Sequence, residues 1–214
     1  GAFPQTWFDG RLLDDVLPSL TRLLIGYGIA LVLGVVLGLV IGSFRRVRLF
    51  TEPLFELFRS IPPPVLVPVV MLITGIGQNM QITVIAFGCF WPILINAVEG
   101  VRGIELTQVD TAHSYRVRGW RRVLVVVLPA ASPKIVAGAR QALSLGIIMM
   151  VISEMFASTN GIGFNVIEFQ RLFRLTEMWT GIVLLGVIGV VANAIFKFFE
   201  RRLLRWYLGM QAQE

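Results

Sequence analysis

Long apolar stretches, separated by short polar or basic segments, dominate the hydrophobic pattern of this 214-residue chain. Five of them are long enough to cross the hydrocarbon core of a bilayer as helices, since the core is about 30 Å thick and a helix rises about 1.5 Å per residue. The pattern therefore predicts an all-α membrane protein. The predicted spans are residues 17–43, 52–74, 80–98, 135–156 and 179–199.

A small residue recurs at every fourth position of the first predicted span. Such residues share one face of a helix and allow a neighbouring helix backbone to approach closely. We interpret the stripe as a packing surface rather than as a contact with solute. Its members are Gly26, Ala30, Gly34, Gly38 and Gly42.

Three consecutive prolines, Pro62–Pro64, interrupt the second predicted span. Proline lacks an amide donor and restricts the residue before it, so an ordinary helix cannot continue through this run. Irregular backbone at membrane depth is tolerated where it is buried in protein or lines a water-filled cavity. The segment is therefore either a structural kink or the lining of a water-filled cavity. The candidate lining residues, which we name the path candidates, are Ser60, Pro62 and Pro63, together with Met149 and Glu154 of the fourth predicted span.

The basic loop, residues 99–129, is the most polar connection between two predicted spans. An arginine costs about 2.5–3.5 kcal/mol at the centre of a membrane helix, so this loop is expected on one side of the membrane. We expect a helix around residues 105–116, a break near Gly119 and a second helix that leads to Pro129. Pro129 and Pro133 would then mark the start of the fourth span.

Composition agrees with a membrane protein, because 56% of the residues are hydrophobic and only 15% are charged. The formal charge of +6 could suggest nucleic acid, but the arginines cluster between the spans, as the positive-inside rule requires. We therefore expect a lipid bilayer and no nucleic-acid partner. Residues 44–51, 99–129 and 200–214 are predicted to be cytoplasmic. Residues 157–178 are predicted to be periplasmic, with a short interfacial or re-entrant helix.

Few residues in this chain could carry out catalysis. Its only lysines, Lys134 and Lys197, do not follow a phosphate-binding glycine loop. One histidine, His113, and one cysteine, Cys89, cannot form a metal-ligand cluster or a catalytic triad. We predict no ATPase site, metal or bound cofactor in the chain. The alternatives to a transport subunit are an ATP-independent carrier or channel and a membrane-embedded enzyme.

The basic loop resembles the EAA loop of binding-protein-dependent ABC importer permeases. Asp110, Thr111 and Ala112 occupy its acidic-small-small position, and Leu128-Pro129 form its end. Arg116 stands where the family has glycine, so we expect Gly119 rather than Arg116 to supply the chain reversal. The resemblance implies contacts with an ATPase. The expected contact residues are Asp110, Thr111, Ala112, His113, Arg116, Gly119 and Trp120.

Two further segments resemble the nitrate, sulfonate and taurine branch of the same family. They run from Phe58 to Gly77 and from Ser153 to Gly163. The resemblance covers residues from about Leu17 to Tyr207 and implies a type I importer fold. Permeases of this branch usually have six spans, so the resemblance implies that the family's first span is not among the five predicted here.

The resemblance also implies a function and partners. The chain would be the permease subunit of an ATP-driven importer in a bacterial inner membrane. A second permease subunit, identical or different, would join it with two ABC ATPase subunits, which bind ATP and Mg, and an extracytoplasmic solute-binding protein. The solute would be a small anion or organic acid, such as nitrate, a sulfonate or taurine. Glu154 would repel an anion if it faced the path, unless an arginine offset its charge.

Overall fold

The computed structural model describes residues 2–7 and 11–211, and every regular element in this part of the chain is helical. The elements are α1 (Ala2–Trp7), α2 (Leu17–Ser43), α3 (Arg45–Ser60), α4 (Val67–Thr74), α5 (Gln78–Arg102), α6 (Leu106–Ser114), α7 (Gly119–Arg122), α8 (Leu128–Ala157), α9 (Ile162–Arg171), α10 (Leu175–Leu203) and α11 (Arg205–Gln211).

Four helical segments among the described residues are long and apolar enough to cross a membrane. They are Leu12–Ser43, Gln78–Arg102, Gly119–Phe156 and Leu175–Leu203. The first joins α2 to a π-helical turn, Leu12–Val16, and the third joins α7 to α8. A fifth crossing exists only if the broken pair that contains α3 and α4 is counted as one span.

The second span, predicted as residues 52–74, is not one helix. Helix α3 begins earlier, at Arg45, and ends at Ser60. Pro62 is extended, with φ −61° and ψ 120°, and a 3₁₀ turn, Pro63–Leu66, leads into the eight-residue helix α4. The break follows from the proline run, because a residue before proline is driven out of the helical region.

Pro129 and Pro133 do not interrupt the helix that contains the fourth predicted span. Their place at the start of that span stays a prediction. The helix begins at Gly119 and continues through both prolines to Ala157. A π-helical turn, Val123–Val127, lies immediately before Leu128 and Pro129. A proline ring clashes with the carbonyl four residues earlier, and the wider π turn lies where that carbonyl, of Val125, must be accommodated.

The chain divides into two compact units, and unit 1 comprises residues 1–30, 61–89 and 143–195. Its hydrophobic core contains Trp7, Val16, Ile162, Phe169 and Leu184. The Trp7 indole also donates a hydrogen bond of 2.9 Å to the Thr180 hydroxyl. Helix α9 buries its Ile162 and Phe169 side chains in this core. The short helix expected in residues 157–178 is therefore an integral part of unit 1.

Unit 2 comprises residues 31–60, 90–142 and 196–214. One of its cores contains Ile41, Leu94 and Val98, with Phe55, Phe90 and Trp91 packed against them. The Trp91 ring stacks on Phe58 with the ring centroids 5.3 Å apart. A second core contains Ala97, Ala131 and Ile135, so α5 packs against α8 within this unit.

The small-residue stripe of α2 lies against α5. In unit 1, a Cβ atom added at Gly26 would lie 2.9 Å from the Ile82 carbonyl oxygen. In unit 2, one added at Gly34 would lie 2.8 Å from Cγ2 of Ile93. By contrast, only 6% of the most apolar 18-residue stretch of α10 is buried by the rest of the described chain.

Candidate functional site

Helix α6 presents a polar surface to the outside of unit 2. Asp110, Thr111 and His113 are exposed, and Leu106 is 79% exposed. Ala112 is only 4% exposed, so its side chain is covered within the unit. That Ala112 contacts an ATPase stays a prediction.

Arg116 ends α6 in a left-handed conformation, with φ 54°. The Arg116 amide donates to the His113 carbonyl at 2.9 Å, and the Val117 amide donates to the Ala112 carbonyl at 2.9 Å. These two bonds define a Schellman motif, in which glycine is the usual left-handed residue. Arg116 therefore makes the first chain reversal itself, contrary to the expectation that Gly119 would replace it.

A second turn follows at Gly119, which has φ 59°. Arg118 before it is extended, with φ −125° and ψ 164°, and α7 begins at Gly119. The side chain of Trp120 is 73% exposed. Two left-handed residues, Arg116 and Gly119, thus fold the loop back on itself between α6 and α7.

A cavity of about 440 Å³, which we name the basic pocket, lies where α6 meets α7. Its lining residues are His113, Val117, Arg118, Gly119 and Arg122. Nη1 of Arg122 is 3.4 Å from Nε2 of His113.

A second, more apolar groove of about 470 Å³ lies beside α6 in unit 2. Thr111 and Ala112 of α6 line it together with Tyr115, Val125 and Trp206. Trp206 belongs to α11, so the groove joins the basic loop to the end of the described chain. Thr111 is thus on the edge between the exposed polar face and this groove.

The path candidates occupy different environments within their own units. Ser60 is exposed at the end of α3 in unit 2, where its hydroxyl donates to the Glu56 carbonyl at 2.7 Å. In unit 1, Pro62 is exposed and Pro63 is half-buried. Met149 is buried in unit 1.

Glu154 is completely buried in unit 1. One carboxylate oxygen accepts a hydrogen bond from the Ser19 hydroxyl at 2.6 Å and from Arg22 Nη1 at 3.1 Å. The other accepts from the Gly163 amide at 2.9 Å. Glu154 therefore connects α2, α8 and the start of α9.

Arg22 and Asp15 extend this network to the segment before α9. The guanidinium of Arg22 donates to the side-chain oxygen of Asn160 at 2.5 Å. Asp15 accepts a hydrogen bond of 2.9 Å from the Gly161 amide. Gly161 has φ 124°, and a Cβ atom added there would lie 2.5 Å from the Glu154 carboxyl carbon. Gly161 is thus required both by its conformation and by its contact with Glu154.

Sequence reasoning did not single out Arg22, Ser19 or Asp15. The available signal was the charge of Arg22 inside the predicted span 17–43, since an ionisable residue within a span usually has a partner. The sequence separation of 132 residues between Arg22 and Glu154 hides the pairing.

The fold and the loop geometry agree with the comparison to known families. Residues 30–205 match one protein family, which is described as the binding-protein-dependent transport system inner membrane component. The chain belongs to this family. It is therefore a permease of the ABC importer type and a multi-pass membrane protein.

Two relatives with assigned solutes match along most of this permease. The taurine transport system permease protein TauC of Escherichia coli (strain K12) is 29% identical over 206 residues, which cover 96% of this chain and 75% of TauC. The bicarbonate transport system permease protein CmpB of Synechococcus elongatus is 31% identical over 198 residues, which cover 92% of this chain and 71% of CmpB.

A solved structure shows the same fold. The MetNI methionine ABC transporter in an inward-facing conformation superposes with a TM-score of 0.74 at 20% sequence identity. The superposition covers 88% of this permease and 94% of the compared chain.

Proposed function

We propose that this permease forms the translocation path of an ATP-driven importer and receives its solute from an extracytoplasmic binding protein. The observation that carries the proposal is the exposed face of α6, which displays Asp110 and His113 just before the two chain reversals at Arg116 and Gly119. A short exposed helix of this kind suits docking into a groove on a partner protein. The partner would be an ABC ATPase subunit, which would bind ATP and Mg in the cytoplasm.

Transmission of force requires that the docked helix be firmly connected to the membrane helices. Helix α7 continues through the π-helical turn Val123–Val127 into α8, so a displacement at Trp120 would be passed to a long helix. Within unit 2, α8 packs against α5 through Ala131 and Ala97. Close contact of α2 with α5 at Gly34 adds a third helix to this assembly. A second permease subunit would complete the path.

We propose that the solute is a small anion or a solute that carries a sulfonate or carboxylate group. The names of TauC and CmpB, which refer to taurine and bicarbonate, support this class. Glu154 does not oppose it, because the carboxylate is buried and Arg22 offsets its charge at 3.1 Å.

Purification from native membranes tests the proposed function. We expect an ABC ATPase to co-purify with the full chain, and reconstituted vesicles to accumulate taurine, bicarbonate or nitrate only with ATP and a binding protein. Uptake without ATP by the chain alone would favour a carrier or channel and would contradict the proposal. Failure to recover any ATPase after mild solubilisation would contradict it as well.

A further inference from the structure

Two arginines of the basic pocket, Arg118 and Arg122, form no ion pair with an acid among the described residues. Four ion pairs occur among the described residues: Arg22–Glu154, Arg102–Glu52, Arg140–Glu200 and Arg174–Glu177. None of them includes Arg118 or Arg122, which line the pocket. The Arg122 guanidinium instead faces the ring of His113 at 3.4 Å, a contact that supplies no negative charge.

The shape of the pocket suits a small anionic group. Arg118 and Arg122 lie on either side of the left-handed Gly119 and contribute to one concavity of about 440 Å³. A guanidinium can hold a carboxylate through two parallel hydrogen bonds, which gives direction as well as strength. Arg118 is exposed and Arg122 is half-buried, so their donors are accessible from outside the unit.

We propose that the basic pocket receives an Asp or Glu side chain of the partner ATPase, and that this contact selects the ATPase that docks on this permease. The inference rests on the proposed function, because it requires an ATPase on the basic loop. The carboxylate would bind between Arg118 and Arg122 while α6 occupies the groove of the ATPase. Complementary charge of this kind chiefly determines which partner docks and how fast.

A protein carboxylate fits the surface better than an anionic lipid headgroup. Asp110 is exposed on α6, three residues before the pocket-lining His113, so this surface displays an acidic group as well as arginines. A surface with both signs of charge matches a protein with the opposite pattern. The pocket is also concave, and a single side chain fills a concavity more readily than a flat headgroup layer.

Carbodiimide cross-linking tests the contact directly, because the reagent joins a carboxylate to an adjacent amine. The chain has only two lysines, Lys134 and Lys197, so its background is low. We expect Arg118→Lys in the intact complex to form a cross-link with an Asp or Glu of the ATPase, identified by mass spectrometry. Arg121→Lys is the matched control, since Arg121 belongs to α7 but does not line the pocket.

Charge reversal gives a second, independent measurement. We expect the double variant Arg118→Glu/Arg122→Glu to lower ATPase recovery about tenfold at moderate salt, whereas Arg121→Glu lowers it less than twofold. High salt should weaken wild-type docking and reduce the difference between the variants. If the double variant recovers as much ATPase as the wild-type chain, the pocket contact is overturned. Recovery of the ATPase by the wild-type chain would still support the proposed function in that case. If the wild-type chain recovers no ATPase, both proposals fail.

The membrane composition separates a protein carboxylate from a lipid headgroup. The same recoveries are measured in discs of phosphatidylcholine alone and in discs that contain phosphatidylglycerol. We expect the loss in the double variant to be the same in both. A loss confined to discs with phosphatidylglycerol would assign the pocket to lipid and overturn the inference, as would equal losses for the pocket variant and Arg121→Glu.

Discussion

Arg22 and Glu154 lie 132 residues apart in the chain, yet their side chains form an ion pair of 3.1 Å inside unit 1. The two side chains are only 5% and 0% exposed. The pair joins α2 to α8 and, through the Gly163 amide, to the first turn of α9. It therefore ties together elements that are distant in sequence, and its removal should be costly.

We predict that Arg22→Met and Glu154→Leu each destabilise the purified chain by about 3–5 kcal/mol, because each leaves an unpaired buried charge. Thermal unfolding in detergent measures the effect. The double variant should lose less stability than the sum of the two single variants. Arg102→Met is the control, since its pair with Glu52 is about half exposed and is expected to contribute at most about 1 kcal/mol. Equal losses for Arg22→Met and Arg102→Met would contradict the prediction.

Gly34→Leu should destabilise unit 2 by about 1–3 kcal/mol, because the added side chain overlaps Ile93 of α5. Gly28→Leu provides a control on the same helix, since a Cβ atom added there meets nothing within 4 Å. The melting temperature and the yield of monodisperse protein should fall only for Gly34→Leu. Similar behaviour of the two variants would show that α2 and α5 are not closely packed at Gly34.

Arg116→Gly should stabilise the chain by about 1 kcal/mol, because a residue with a Cβ atom is strained in the left-handed conformation. The comparison variant is Arg118→Gly, which removes the same charge at an extended position and gains no such relief. Denaturation curves of the two variants report the difference. A loss of stability in Arg116→Gly would indicate that the Arg116 side chain contributes a contact that outweighs the strain.

Asp110→Trp should impair ATPase docking, whereas Ala112→Trp should impair the stability of the fold. Asp110 is exposed on α6, so a bulky side chain there should leave the fold intact and reduce ATPase recovery by blocking the docking face. Ala112 is 4% exposed, so the same substitution should lower thermal stability first. Gln170→Trp, on an exposed position of α9, controls for the added bulk. Full docking by Asp110→Trp would argue against α6 as the docking element.

Arg46 and Thr159 should be accessible from opposite sides of the membrane. Single cysteines at Arg46 and at Thr159, both exposed positions, are introduced into a Cys89→Ala parent. In intact cells, an impermeant maleimide should label the cysteine at position 159 and not the one at position 46. Equal labelling of both would contradict the topology that the arginine distribution predicts.

The sequence predicts the apolar helices well, but it predicts poorly which side chains of different helices pair with each other. Helix α2 has the bounds Leu17–Ser43, as its pattern predicts, because hydrophobicity over a long stretch is a local property. The pairing of Arg22 with Glu154 depends on how distant helices pack, which no local pattern records. The reversal at Arg116 was missed for a related reason, since tertiary context can hold an arginine where local preference favours glycine.

Phe173 ends α9 just as Arg116 ends α6, with φ 55° and the Arg174 amide bonded to the Phe169 carbonyl at 2.9 Å. The Phe173 side chain is 87% exposed, and Trp179, in the first turns of α10, is 61% exposed. Tryptophan rings are enriched at the boundary between headgroups and hydrocarbon. Because little of α10 is covered by its own chain, we expect Trp179 to hold this helix at a fixed depth in the membrane.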